Sequence, residues 1–191
     1  MNVKKIAVYC GASLGSNPVY QQAGAALGQW LAEHEIGLVY GGGKYGLMGV
    51  IAKSVLDHNG VVWGVITKEL ENRGTVLDTV THLQVVDNMA ARKSAMMNLS
   101  EGFIAFPGGP GTLEEIAEAF SWALIGDNSE PCAFYNVNHY YQPLQAMYDQ
   151  MTSEGFLSEQ GRSKLLFSDS IDEIQQFMAS YEPPTIRTYH R

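Results

Sequence analysis

The residues between 104 and 115, with the sequence IAFPGGPGTLEE, combine the features of an anion-binding site. An apolar run ends at Phe106, a glycine-rich turn follows, and the pattern then predicts a helix from Thr112. Glycines allow a tight turn and a close ligand approach, while a new helix offers unpaired N–H groups and the positive end of its dipole. The segment therefore predicts a phosphate site. Glu114 and Glu115 fall in the predicted first turn, where an anion would repel them, so we expect one of them to do more than cap the helix.

Two more glycine turns follow predicted strands, at residues 10–16 (CGASLGS) and 41–49 (GGGKYGLMG). A single turn of this kind is often only a tight connection between a strand and a helix. Because the carboxyl ends of parallel strands meet at one edge of a sheet, we expect the three turns to line one cleft. Lys44 lies too early for a Walker A motif, the turn from Gly11 to Gly15 lacks the spacing G-x-G-x-x-G of dinucleotide-binding proteins, and no acidic residue clearly ends the second predicted strand. Nicotinamide chemistry is therefore disfavoured.

A pair of cations, Arg92 and Lys93, opens the helix predicted after the strand 83–86. That position places both side chains at the same edge of the sheet as the glycine turns, although a solvated basic pair is an alternative. Arg92 is the better candidate for substrate binding, because its planar fork can hold a carboxylate or a phosphate at two points. Lys93 is expected to serve packing or a second phosphate contact.

Short apolar runs alternate with helical patterns along the chain, which predicts an α/β fold with a doubly wound parallel sheet of Rossmann type and helices on both faces. We expect one nucleotide-hydrolase domain over residues 1–182 and a flexible tail over residues 183–191. The predicted strands are 6–9, 37–40, 61–66, 83–86, 102–106 and 132–135, and the predicted helices are 18–35, 47–59, 90–100, 112–124, 140–154 and 171–180.

Composition limits the classes of function. A chain of 191 residues with 46% hydrophobic residues can bury a full core, and its formal charge of −8 argues against a nucleic acid as the main partner. No apolar run approaches the roughly 20 residues that span a bilayer. Two cysteines make no disulfide framework, which favours the cytoplasm. The five histidines show no metal-ligand spacing, so we expect neither a metal nor a cofactor.

Together, the motifs CGAS, GGGKYGLMG, MAARK and PGGPGTLEE resemble those of the LONELY GUY (LOG) family of cytokinin riboside 5′-monophosphate phosphoribohydrolases. The resemblance runs from the first strand through the helix after residue 140. Many relatives carry the label lysine decarboxylase, which this sequence does not support, because no lysine lies in an evident pyridoxal phosphate site.

The resemblance implies an enzyme that hydrolyses the N-glycosidic bond of a nucleoside 5′-monophosphate, and it implies a homodimer. Arg92 and Glu115 match the catalytic arginine and glutamate of the family. The substrate-binding positions that the resemblance implies, besides these two, are Ser13, Gly41, Gly42, Gly43, Lys93, Gly108, Gly109, Gly111, Thr112 and Ser121.

The chain departs from the plant members at two positions. Gly74 stands where they have a substrate-contacting glutamate eighteen residues before the arginine, with Glu69 and Glu71 nearby, and Ser121 replaces a threonine. These departures leave the base selectivity open among prenylated adenine nucleotides, AMP and other purine monophosphates.

The residue types suit the implied chemistry. Cleavage of a ribosyl C1′–N bond builds positive charge on the sugar, which a carboxylate at Glu115 can offset while it orients or deprotonates water. Arg92 cannot give up a proton at neutral pH, so it either anchors substrate or holds Glu115 ionised. An alternative function is a non-catalytic nucleotide or molybdenum cofactor carrier, which the same glycine turns would serve.

Overall fold

A computed structural model describes residues 3–186 of the chain. Within this range, seven parallel strands form one sheet in the order β4-β3-β2-β1-β5-β6-β7. This arrangement confirms the prediction of a doubly wound parallel sheet. The strands are β1 (Lys5–Tyr9), β2 (Gly37–Tyr40), β3 (Val62–Thr67), β4 (His82–Val86), β5 (Phe103–Ala105), β6 (Cys132–Tyr135) and β7 (Leu165–Ser168).

Helices cover both faces of the sheet. One buried cluster packs α1, α2 and α8 against one face, and a second packs α4, α5 and α6 against the other. Strand residues alternate between the clusters, so that Ile6 and Val8 face the first while Ala7 and Tyr9 face the second. The helices are α1 (Val19–Glu33), α2 (Gly46–Asp57), α3 (Lys68–Asn72), α4 (Met89–Leu99), α5 (Pro110–Ile125), α6 (Gln142–Ser153), α7 (Glu159–Arg162) and α8 (Ile171–Ala179).

The direction of strand addition reverses between β1 and β5. Strands β2 to β4 extend the sheet on one side of β1, and β5 to β7 extend it on the other. The loops that leave β1 and β5 therefore diverge, which opens a crevice at the carboxyl ends of these two strands. The fold places the glycine turns after both strands at this crevice.

Several elements differ from the sequence predictions. Strand β7 was not predicted, because a four-residue apolar run gives little periodic signal. Helix α3 was not predicted either, because it has no buried residue and hence no apolar stripe that a pattern could reveal. Helix α5 begins at Pro110, a favourable first residue, two residues before the predicted start. Glu114 and Glu115 consequently lie in the second turn and not in the first.

The segment after α8 is described only in part. Residues 187–191 of the predicted tail lie outside the described residues. Before them, Pro184 is buried, and the hydroxyl of Thr185 accepts a hydrogen bond of 2.8 Å from the Gln160 amide. No helix between residues 3 and 186 combines the length and the apolar character that a membrane span needs.

Candidate active site

A cleft of about 550 Å³ opens at the crevice between β1 and β5. This volume is in the range of pockets that hold small ligands. The turn after β1, the start of α2, the start of α4 and the loop from β5 into α5 form its walls. The side chains and glycines that line it include Cys10, Gly11, Ser13, Gly15, Tyr20, Leu47, Met48, Met89, Arg92, Gly108, Gly109, Gly111, Thr112, Glu114, Glu115 and Tyr140.

The beginning of α5 points into the cleft. The amides of Gly111 and Thr112 lie in the first turn of this helix, where no intrahelical acceptor exists for them. The Thr112 hydroxyl makes no hydrogen bond to any residue in the range 3–186, although its side chain is buried. These groups form a set of donors at the positive end of a helix dipole, which is suited to a phosphate.

Hydrogen bonds to its carbonyl groups fix the loop before α5. The carbonyl groups of residues 106–108 accept hydrogen bonds from the Tyr141 hydroxyl (2.8 Å), the Gly11 amide (3.1 Å) and the Tyr140 hydroxyl (2.6 Å), respectively. Gly108 must be glycine, because a Cβ there would lie 2.2 Å from the Thr112 hydroxyl oxygen. These three hydrogen bonds fix the carbonyl groups of the loop on the side away from the amides of Gly111 and Thr112.

Arg92 and Glu115 meet inside the cleft. Asn88 caps α4 by accepting a hydrogen bond from the Ala91 amide, and one turn later the Arg92 side chain leaves the helix toward the sheet. Arg92 Nε donates to the Val65 carbonyl at 3.0 Å, and Nη1 donates to Glu115 Oε1 at 3.3 Å. The side chains of Arg92 and Glu115 are only 9% and 11% exposed. The two residues expected to be catalytic are therefore in direct contact.

The environment of Glu115 alters its acidity. Burial raises the pKa of its carboxyl to about 6, in opposition to the Arg92 guanidinium, which lowers it. A carboxyl with this pKa is ionised at neutral pH but takes up a proton in mildly acidic solution. Perturbed acidity of this kind in a cleft is typical of a group with a chemical role.

Lys93 does not line the cleft, so the structure agrees with the packing role expected for it and not with the alternative of a second phosphate contact. Its ammonium pairs with Glu114 at 2.5 Å and with Glu118 at 2.9 Å, and thereby joins α4 to α5. No lysine between residues 3 and 186 lines the cleft. The arrangement offers no free amine for a Schiff base, which a pyridoxal phosphate decarboxylase would require.

The glycine turn at 41–43 lies behind the cleft and not on its surface, so the expectation that three turns would line it is corrected. The amides of Leu47 and Met48, at the start of α2, donate to the Gly11 carbonyl at 3.0 and 3.4 Å. The first amides of α2 therefore bind a backbone carbonyl and are not available to a ligand. Gly41 is buried beside Arg92, while Gly42 and Gly43 pack near Ile66 and Met48.

Two other expected positions, Ser13 and Ser121, and the departure at Gly74 fall at different places. Ser13 is exposed on the rim of the cleft. Ser121 faces a separate groove beside α6 and α7 and does not line the cleft. Gly74, with φ of +69°, ends α3 in a left-handed conformation that disfavours a glutamate, and it does not line the cleft either.

Tyr20 and Tyr140 form a wall of the cleft that the sequence analysis missed. Their rings meet edge to face at a centroid distance of 5.8 Å. Tyr140 follows the end of β6, so the same rule that placed the glycine turns at this edge could have identified it. In addition, no cluster of three or more potential metal-binding side chains exists within the described part of the chain.

Solved structures share the fold. A molybdenum cofactor carrier protein from Chlamydomonas reinhardtii superposes with a TM-score of 0.69 at 21% identity, covering 93% of this chain and 98% of the other. The molybdenum cofactor binding protein from Rippkaea orientalis superposes with a TM-score of 0.67 at 20% identity, covering 92% and 95%. At such identities the likeness concerns the fold alone.

Sequence relatives are closer. A family model described as "Possible lysine decarboxylase" matches residues 48–178. The cytokinin riboside 5′-monophosphate phosphoribohydrolase LOG7 of Arabidopsis thaliana is 39% identical over 94% of this chain and 83% of its own length. The enzyme LOG of Oryza sativa subsp. japonica is 38% identical over 94% and 74%. By these matches, the chain belongs to the LOG family of cytokinin riboside 5′-monophosphate phosphoribohydrolases.

Proposed function

We propose that the protein hydrolyses the N-glycosidic bond of adenosine 5′-monophosphates, including N6-prenylated ones, and releases the free base and ribose 5-phosphate. The contact between Arg92 and Glu115, next to an open helix end that suits a phosphate, carries this proposal. The names of the relatives at 38–39% identity agree with it.

Glu115 supplies the carboxylate of the proposed reaction. As the C1′–N bond breaks, its electron pair goes to the base, and the sugar takes on oxocarbenium character. The ionised Glu115 offsets this positive charge and orients or deprotonates the water that adds to C1′. The departing base takes up a proton from solvent or from another group.

Arg92 acts electrostatically in this proposal. Its guanidinium stays protonated at neutral pH and therefore cannot act as a general acid. Hydrogen bonds to Val65 and Glu115 fix its plane, so it lowers the pKa of the Glu115 carboxyl against the effect of burial. Arg92 thus maintains the anion that the reaction needs.

The 5′-phosphate provides the binding energy for positioning. Amides of Gly111 and Thr112 and the Thr112 hydroxyl would hold it, with Gly108 and Gly109 allowing close approach. These donors lie on the same helix as Glu115, one turn earlier. Anchoring the phosphate therefore fixes the distance from C1′ to the carboxylate, which converts binding energy into rate.

A non-catalytic carrier is the competing function, because carriers of molybdenum cofactor share the fold. A pure carrier of an anionic ligand has no use for a buried carboxylate in its binding cleft, since that charge repels the ligand. The presence of Glu115 beside Arg92 favours the hydrolase.

A direct assay separates the two functions. The protein is incubated with AMP and with isopentenyladenosine monophosphate, and free base and ribose 5-phosphate are measured by chromatography. We expect release from at least one substrate, and a loss on the order of 10³-fold in Glu115→Gln. Calorimetry should show that Glu115→Gln still binds the nucleotide, which verifies that the variant folds. No base from either substrate, or undiminished release by Glu115→Gln, would favour the carrier.

We further propose a cytoplasmic homodimer. The cysteines, Cys10 and Cys132, are both unpaired, which suits a reducing compartment. Met89 on α4 and Leu113 on α5 leave 46% and 40% of their surface exposed, and both lie beside the cleft. A second copy packed there would cover them. Light scattering coupled to gel filtration should give about twice the mass of the chain, and a monomer would refute the dimer.

A further inference from the structure

A second set of ion pairs lies beside the proposed catalytic one. Arg92 pairs with Glu115 in the cleft, and the next residue along α4, Lys93, pairs with both Glu114 and Glu118 on α5. The Lys93 side chain is 17% exposed, and its ammonium takes part in two contacts at once. One ammonium therefore joins two carboxylates of α5 that flank Glu115 in sequence.

Glu114 and Glu118 matter to Glu115 because of their positions on α5. Glu114 is the adjacent residue, and Glu118 lies three residues later, on a neighbouring part of the helix surface. Both carboxylates raise the pKa of Glu115, and the Lys93 ammonium lowers it. Without a cation between them, two anions would favour the protonated form of Glu115.

Arg92 is the other cation that acts on Glu115, and it lowers the pKa of the Glu115 carboxyl more than Lys93 does. Burial raises the pKa of the Tyr9 hydroxyl and of the Cys10 thiol, so both are neutral near pH 7. Arg92 pairs with Glu115 itself, whereas Lys93 pairs with Glu114 and Glu118, so the two cations offset different carboxylates. The charged and titratable groups that act on Glu115 are Arg92 and Lys93 from α4, Glu114 and Glu118 from α5, and Tyr9 and Cys10 from the end of β1.

We propose that Lys93 is a positioning residue for Glu115: its ammonium neutralises Glu114 and Glu118, and this keeps the Glu115 carboxylate ionised and directed at the cleft. The inference rests on the proposed function, in which Glu115 acts as an anion. Lys93 touches no substrate in this role. Its ammonium acts on Glu115 directly and by offsetting the charges of Glu114 and Glu118.

The test compares the two partners of one ion pair, Lys93→Met and Glu118→Gln. In Lys93→Met the glutamates lose their cation, so the midpoint of the acid limb of kcat against pH should move up by about half a unit or more. In Glu118→Gln one anion is lost, so the midpoint should move down. The double variant should return toward the wild-type midpoint. If Lys93 only braced the helices, both single variants would lower kcat without moving the midpoint, and the proposal would be overturned.

A matched control and a second readout separate this inference from the proposed function. Lys68→Met also removes an ammonium from an ion pair, with Asp87, but Lys68 does not act on Glu115. The midpoint of the acid limb of kcat against pH should therefore be unchanged in Lys68→Met.

The second readout is a titration of the Glu115 carboxyl by carbon-13 NMR. Its signal is assigned by its loss in Glu115→Gln. If the wild type releases no base, the proposed function fails, yet opposite NMR shifts in Lys93→Met and Glu118→Gln would still support the role of Lys93. Unchanged NMR midpoints would overturn that role even if the enzyme is active.

Discussion

The backbone of Gly41 lies directly against the guanidinium of Arg92. A Cβ at residue 41 would lie 1.9 Å from Arg92 Nη2, far inside van der Waals contact. Glycine at this position therefore provides the space in which Arg92 reaches both Val65 and Glu115. The first glycine of the turn after β2 serves the cleft by shaping its interior, although it does not line it.

We expect Gly41→Ala to lower kcat by on the order of 10²-fold, because the new methyl group displaces the guanidinium from Glu115. Steady-state hydrolysis of AMP measures the loss. Gly43→Ala is the matched control, since a Cβ there would approach only the flexible end of Met48. Equal losses in the two variants would indicate a general effect on the turn, and the specific role of Gly41 would be refuted.

A second prediction concerns the hydroxyl of Tyr140, which donates to the Gly108 carbonyl at 2.6 Å. Tyr140→Phe retains the ring but frees the loop before α5. One net hydrogen bond corresponds to a change of about 2- to 10-fold, which should appear as a higher KM for AMP. Tyr20→Phe is the matched control. It removes a hydroxyl from the same wall, but this hydroxyl forms no hydrogen bond with any of the residues 3–186. The same rise in KM in both variants would argue that the loop contact is unimportant.

Much of this arrangement was predictable from sequence. The apolar strand runs and the glycine turns predicted the parallel sheet, and the rule for the carboxyl ends of strands predicted that Arg92 and Glu115 lie at one edge. These two residues are 23 positions apart in the chain, yet they meet at 3.3 Å. The alternation of strands and helices was sufficient to place both residues at that edge, and the family resemblance paired them as catalytic residues.

Other parts depended on tertiary contacts that no local pattern reveals. Three glycine turns looked equivalent in sequence, but the amides that begin α2 are bound to the Gly11 carbonyl, while the first-turn amides of α5 have no intrahelical acceptor. Lys93 was expected to serve packing or a second phosphate contact, and only the packing of α4 on α5 shows that its partners are Glu114 and Glu118. Such partner choices are set by the geometry of packing between elements.

A third prediction tests the phosphate site. If the beginning of α5 anchors the 5′-phosphate, kcat/KM for AMP should exceed that for adenosine by on the order of 10³. Thr112→Val removes one donor and should narrow this ratio about tenfold while leaving adenosine turnover unaffected. Parallel kinetics with the two substrates give both values. Equal kcat/KM on adenosine and AMP in the wild type would contradict an anchoring role for this helix end.

The final prediction links the acidity of Glu115 to stability. Its pKa in the folded protein, about 6, lies above the ordinary value of 4.5, so the folded state binds this proton more tightly than the unfolded state does. The protonated carboxyl therefore favours folding below pH 4.5, and this contribution is lost as the pH rises through 6. A difference of 1.5 units corresponds to about 2 kcal/mol.

Glu115→Gln lacks this titration, and the comparison with wild type isolates it from all other carboxylates. We expect the free energy of unfolding of the wild type, minus that of the variant, to fall by about 2 kcal/mol between pH 4.5 and pH values above 6. Urea denaturation at a series of pH values measures it. A difference that rises with pH over this interval would mean that the pKa of Glu115 is lowered by Arg92 more than it is raised by burial. Glu115 would then stay ionised above pH 4.5, and the acid limb that we expect for kcat near pH 6 would be absent.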